Sequence, residues 1–124
     1  MELLRIWAVR GAITTTEDRA EAVSEATQEL LKELFRQNHI EPEDIVSIIF
    51  TATPDLTSEF PAAAARKLGL SDTPLMCAQE IAKVGALPRC IRVLIHFYTD
   101  LEKDELYPVY LRDAVKLRPD LNIR

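Results

Sequence analysis

The sequence predicts an α+β domain in which a mixed β-sheet carries one long and one short helix. Three observations predict it. Residues 18–37 place apolar side chains at helical spacing, five stretches elsewhere read as extended, and a second, short helix is bracketed by Pro61 and Gly69. The 124 residues suit one domain, taken as 1–124.

Residues 4–12 read as the first strand, with Leu4, Ile6 and Ala8 on one face and Arg5, Trp7 and Val9 on the other. Arg10 and Gly11 lie at its far end. After the polar turn at residues 14–18, Asp18 is expected to cap a helix, with Glu21 three residues on as in a capping box. Val23, Ala26, Leu30, Leu31, Leu34 and Phe35 form its apolar stripe, and the helix is expected to end near Gln37. His39 falls in the exit turn, where a lone histidine needs no role. Residues 41–44 read as a connector of at most one helical turn. Residues 45–53 are almost continuously apolar, as in a central strand covered on both faces.

Pro54 ends that strand, and residues 54–61 form a structured loop. Pro61 opens a short helix to about Leu68, with Gly69 just past its end; Arg66 and Lys67 in its last turn suit the helix dipole. Residues 75–80 are extended, residues 82–88 form a loop, and residues 90–98 make a strand. In that strand Ile91, Val93, Ile95 and Phe97 alternate onto one face, while Cys90, Arg92, Leu94, His96 and Tyr98 share the other. A polar connector follows at residues 101–105, and residues 107–111 are again extended. Residues 113–117 fit either a strand or a short helix, and residues 117–121 form a tail stopped by Pro119.

Composition narrows the function. A net charge of −5 argues against nucleic acid or an anionic membrane as a general partner. There is no apolar run of membrane-spanning length and no signal-peptide pattern at residues 1–5. Cys77 and Cys90 have neither metal-ligand nor disulfide spacing, which suits a reducing cytoplasm. The three glycines form no phosphate-binding loop. The two histidines, His39 and His96, have no evident acid partner, and no Ser-His-Asp or Cys-His set emerges.

What remains is arginine. One helix cannot cover every apolar strand face, and Trp7, Val9, Leu94, Tyr98 and the strand around Ile48 are expected to need another subunit. Arg92 stands on a mixed face, where a guanidinium needs water, a carboxylate or a bound anion. Arg10, Arg66, Arg92 and Arg118 fall on different segments, with Phe60, Cys77, Glu80 and Tyr110 also in view. They fit convergence on a multiply charged small anion, and equally four solvated side chains. Glu80 can simply pair with Arg92 or Lys83.

Arg10-Gly11-Ala12, Ala52-Thr53-Pro54-Asp55-Leu56, Phe60-Pro61-Ala62, Cys77-Ala78-Gln79-Glu80, Cys90-Ile91-Arg92-Val93, Val109-Tyr110-Leu111 and Leu117-Arg118-Pro119-Asp120 occur in that order and spacing. The ordered set, spanning nearly the whole chain, resembles the monofunctional chorismate mutases of the Bacillus type, distinct from the all-helical class. The resemblance implies a pseudo-α/β-barrel homotrimer with an active site between subunits. It implies that chorismate rearranges to prephenate by an intramolecular Claisen shift, with no cofactor, no metal and no covalent intermediate. By the same resemblance Arg92 donates to the ether oxygen and Arg10 binds a carboxylate. Glu80 and the main chain at Cys77 hold the ring hydroxyl, and Tyr110 binds the side-chain carboxylate. Phe60 and Leu117 wall the apolar part, Leu75 and Met76 line the pocket beside Cys77, and Ala62 joins the substrate-binding set. Arg66 and Arg118 supply charge near the mouth.

Ala63 departs from the pattern, which often has lysine after Pro-Ala. The missing charge is expected to weaken capture of a dianion more than the chemical step. The chemistry suits the residues: a pericyclic step needs a near-reactive conformer and stabilised charge separation, not a histidine base. A non-enzymatic trimeric module binding a small carboxylated metabolite is the alternative on the same architecture.

Overall fold

The computed structural model describes residues 4–120. Its strands are β1 (Arg5–Thr14), β2 (Ile45–Ala52), β3 (Leu75–Gln79), β4 (Cys90–Thr99) and β5 (Val109–Leu111), and its α-helices are α1 (Ala20–Asn38) and α2 (Pro61–Lys67). They form one five-stranded mixed sheet in the order β3-β2-β4-β1-β5. β4 lies at its centre, antiparallel to both β1 and β2. The edge strands run parallel to their neighbours, β3 beside β2 and β5 beside β1. Residues 113–117, open between strand and helix in sequence, fall within a 3-10 helix at Arg112–Leu117.

The helices cover one face. Val23, Ala26, Leu30, Leu31 and Leu34 of α1 pack with Ile91, Val93, Ile95 and Phe97 of β4 and with Val9, Ile13, Ile48 and Phe50. The alternation read in residues 90–98 is therefore the division between this core and the opposite face. α1 lies so close to β1 that a Cβ on Gly11 would meet Leu34 Cδ1 at 2.8 Å and the Val109 carbonyl oxygen at 3.0 Å. α2 ends as its sequence suggests. Gly69 takes a φ of 90°, its N–H donates to the Arg66 carbonyl, and Leu70 N–H donates to the Ala65 carbonyl.

Four expectations need correction. The cap of α1 is Arg19, without a side-chain hydrogen bond; Asp18 instead accepts from Thr57 and Ser58 across the molecule. The reason is competition, because a carboxylate serves the unpaired N–H groups of a loop as readily as those of a helix. Val9 is buried in the helix-side core rather than left uncovered, and Trp7, on the same side, donates its indole N–H to the Leu101 carbonyl at 3.0 Å. The uncovered face does carry Tyr98, as expected, and with it Ile6, each 48% exposed, and Met76 at 65%. β2 is flanked by β3 and β4 but is not covered on both faces: Ile48 and Phe50 are buried, whereas Ile49 and Thr51 are only partly so.

β2 also changes register against β4. Ile45 faces Phe97, yet Ser47 faces His96, so Val46 is an extra residue at a bulge. Beyond it Ser47, Ile49 and Thr51 share the open face with His96, Leu94 and Arg92.

Candidate active site

The open face holds most of the charged groups the sequence singled out. Register sets the arrangement. Thr51 faces Arg92 across β2 and β4, Arg92 faces Ala12 across β4 and β1, and Ala12 faces Tyr110 across β1 and β5. On the other side Thr51 faces Ala78 of β3. One row thus crosses all five strands, with the guanidinium at its middle. Neighbours on that row other than Tyr110 are small, so Arg92 stands above its surroundings, and its side chain is 47% exposed. Arg10 shares this face one pair away, opposite Leu94, and is exposed.

Glu80 follows directly on β3. Its N–H donates to the Ala52 carbonyl at 2.9 Å, which holds the residue against the sheet beyond the strand's end. Its Oε2 lies 3.6 Å from Arg92 Nε and accepts a hydrogen bond from the Thr51 hydroxyl. The separation from Arg92 makes a loose ion pair rather than a hydrogen bond. Arg92 also reaches the Cys90 thiol, whose pKa is raised because burial outweighs the nearby positive charge.

Cys90 belongs to a second small cluster with Ala12, Tyr110 and Ala114, against which Leu87 and Leu117 pack. The 3-10 helix and tail therefore fold over one end of the open face. Tyr110 is buried beneath them, 5% exposed. Arg118 pairs with both carboxylate oxygens of Asp120, at 3.2 and 3.1 Å. That pairing first, and hydrogen bonding to Tyr110 as well, raises the Arg118 pKa.

The other predicted residues, Met76 excepted, lie elsewhere. Phe60, 69% exposed, lines a cleft of about 330 Å³ with Cys77, Ala52 and Gln79. By register Cys77 is on the Phe50 side of β3, away from Arg92. Leu75, paired with Ile48, packs against the helix-side core, whereas Met76, paired with Ile49, is on the open face. Ala62 is buried in the core under α2, and Arg66 is exposed in that helix's last turn. Two groups thus result within one chain. Arg10, Glu80, Arg92, Tyr110, Leu117 and Arg118 belong to the open face and its cover. Phe60, Cys77, Ala62, Arg66 and Leu75 belong to the α2 side, and the structure does not bring the two groups together around one cavity.

The outer edge of β3 has its own chemistry. Pro74 C=O and Glu80 N–H both bond to β2. The two-residue repeat of a parallel ladder then directs the N–H and C=O groups of Leu75, Cys77 and Gln79 outward. Backbone donors and acceptors at Cys77 are thereby presented beside the Phe60 cleft.

The loop that forms the cleft is tied at both ends. Asp18 accepts from the Thr57 N–H and hydroxyl and from the Ser58 N–H at 2.9 to 3.1 Å. Hydrogen bonding from the Ser58 and Thr57 side chains, and then from their N–H groups, lowers the Asp18 pKa to about 2. At the other end Thr53 accepts from Cys90 N–H through its hydroxyl oxygen, and Asp55 accepts from Arg89 N–H.

Sequence reasoning missed Thr51 and Asp18 as parts of this framework. A threonine inside an apolar run carries a weak signal, and only the strand register identifies the residue it faces. Among the described residues no cluster of His, Cys, Asp and Glu fits a metal ion, and no helix is long and apolar enough to cross a membrane.

Comparison with known proteins gives a consistent result. The chain is 51% identical over 114 residues to the chorismate mutase AroH of Thermus thermophilus, covering 91% of this chain and 93% of that one. It is 41% identical over 121 residues to the chorismate mutase AroH of Bacillus subtilis, covering 97% and 95%. Among solved structures, a chorismate mutase from Clostridium thermocellum superimposes with a TM-score of 0.86 at 48% identity, over 87% of this chain and 96% of the other. A family profile described as chorismate mutase type I matches residues 6–121. The chain belongs to the type I chorismate mutase family, and it is an isomerase.

Proposed function

We propose that the chain converts chorismate to prephenate at a site completed between copies of itself, with Arg92 as the electrostatic catalyst. The observation that carries this reading is the place of Arg92: a guanidinium fixed on the central strand, facing outward in a row of mostly small residues. As the ether C–O bond breaks, negative charge grows on oxygen, and a donor already in position stabilises it without reorganising. No proton has to leave carbon in the pericyclic step, so no histidine base is required. Arg10 takes a substrate carboxylate, Tyr110 meets the other with Arg118 supplying charge near the mouth, and Glu80 holds the ring hydroxyl with the main chain at Cys77. Phe60 and Leu117 wall the apolar side, with Leu75, Met76 and Ala62 around them and Arg66 toward the mouth. The rearrangement uses no cofactor.

Association between copies, which we take to be a homotrimer, is supported by two features. The open face exposes Ile6, Tyr98 and Met76 around partly buried Leu94 and Ile49, more apolar surface in one place than a solvated sheet usually keeps. The two groups of site residues also lie apart in one chain, so an Arg92 group from one copy and a Phe60 group from its neighbour make a whole site. In that arrangement the domain spans residues 1–124, and neither nucleic acid nor a membrane takes part.

The test is to mix purified protein with chorismate and follow the loss of its absorbance and the appearance of prephenate. A protein that binds chorismate without consuming it is a metabolite-binding module, and the reading fails. Mixing an inactive Arg92→Ala chain with an inactive Phe60→Ala chain, after dissociation and reassembly, should restore some activity. No recovery in a verified mixed oligomer would place the whole site within one chain.

A further inference from the structure

We propose that Thr51 is a positioning residue for this reaction: its hydroxyl holds one oxygen of Glu80, leaving the other for a substrate hydroxyl and Arg92 for the ether oxygen. The inference rests on the reading of Glu80 as the group that holds that hydroxyl.

Glu80 lies just past the end of β3, where its backbone N–H still donates to the Ala52 carbonyl. A glutamate there has several torsions to sample. Thr51 is β-branched and stiff, inside β2, on the same face and directly opposite Arg92. Its hydroxyl donates to Glu80 Oε2, the same oxygen that lies 3.6 Å from Arg92 Nε. Both partners of Oε2 are thus on the sheet side of the carboxylate. Neither of these two interactions uses Oε1, which is the oxygen left to meet a ligand.

The second consequence concerns charge. A carboxylate free to turn toward Arg92 forms a two-pronged pair with it, at hydrogen-bond distance. Such a pair spends the guanidinium's donors on a permanent anion and weakens its response to charge that develops only in the transition state. The Thr51 hydroxyl competes for Oε2 and keeps the ion pair loose. Thr51 acts on the reaction through Glu80 and Arg92, without touching substrate.

The test compares Thr51→Val, which keeps the shape and loses the hydroxyl, with Thr51→Ser, which keeps the hydroxyl. Thr51→Val should lower kcat/KM on the order of tenfold to a hundredfold, the effect of losing one hydrogen bond to a charged group, with the loss mainly in kcat. Its melting temperature should stay within a few degrees of the parent, because the substitution keeps the side chain's shape at a partly buried position. Thr51→Ser should recover most of the activity. In a Glu80→Gln background, Thr51→Val should have little further effect. The inference is overturned if Thr51→Val matches the parent while Glu80→Ala is inactive, or if Thr51→Ser is as impaired as Thr51→Val. If Glu80→Ala is itself fully active, the role given to Glu80 fails, and this inference with it. Should Thr51→Val not fold, Thr51→Ala against Thr51→Ser makes the same comparison.

Discussion

Leu34 rests on Gly11: a Cβ added there would come within 2.8 Å of Leu34 Cδ1 and 3.1 Å of Leu30 Cδ1. The main chain of β1 is the floor on which α1 lies, at the residue next to Arg10. Gly11→Ala should therefore destabilise the fold by about 1–3 kcal/mol through overpacking. Urea unfolding measures it, as a lower midpoint with an unchanged slope. A neutral substitution would mean that α1 slides to make room.

Arg92→Ala should lower kcat on the order of a hundredfold to a thousandfold, the effect of removing a preorganised donor to a developing anion. Arg92→Lys should not recover it, because an ammonium lacks the planar fork. Stopped-flow loss of chorismate absorbance decides the point, and near-normal turnover in Arg92→Lys would remove Arg92 from its role.

Arg10 faces Leu94, one pair along the sheet from Arg92. If it only anchors a carboxylate, Arg10→Ala raises KM about tenfold or more and changes kcat little. Tyr110→Phe should do the same more weakly, since it removes one hydroxyl from a side chain already packed in place. Loss of kcat alone in either variant would move that residue to the breaking bond.

The loop over residues 53–60 should loosen in acid. The Asp18 pKa falls from 3.8 to about 2 on folding, through hydrogen bonds that only the carboxylate accepts fully. A pKa lowered by folding means stability that is complete above the unfolded value and is lost as pH falls from there toward about 2. Amide hydrogen exchange at Thr57 and Ser58 should accelerate over that window, beyond the intrinsic pH effect. In Asp18→Asn the same amides should already exchange faster at neutral pH, with no further step in acid.

The helix stripe of α1 and the alternation of β4 were legible because each is a strict period over many residues, and burial follows the period. The Pro61 and Gly69 boundaries of α2 were legible because each acts through its own backbone. Asp18 was misread because capping is a contest between partners that only the tertiary fold brings near, here Thr57 and Ser58. Arg10, Glu80, Arg92 and Tyr110 could be named from an ordered set of motifs. Their sharing of one face depends on four strand registers, and no local pattern encodes those. The same holds for the separation of Phe60 and Cys77 from Arg92.

Val46 gives the apolar run of residues 45–53 a different meaning. Ile45 points toward the helices, as do Ile48 and Phe50, so the inward positions are odd before the extra residue and even after it. A phase change in the pleat, rather than burial on both sides, accounts for a stretch that shows no alternation. It also decides which side Thr51 serves. Had the Ile45 pairing run on unbroken, Thr51 would fall opposite Ile91 and point into the core, and the threonine beside Arg92 would be lost. One residue of slack in a strand thus sets the polarity of the surface on which the charges gather.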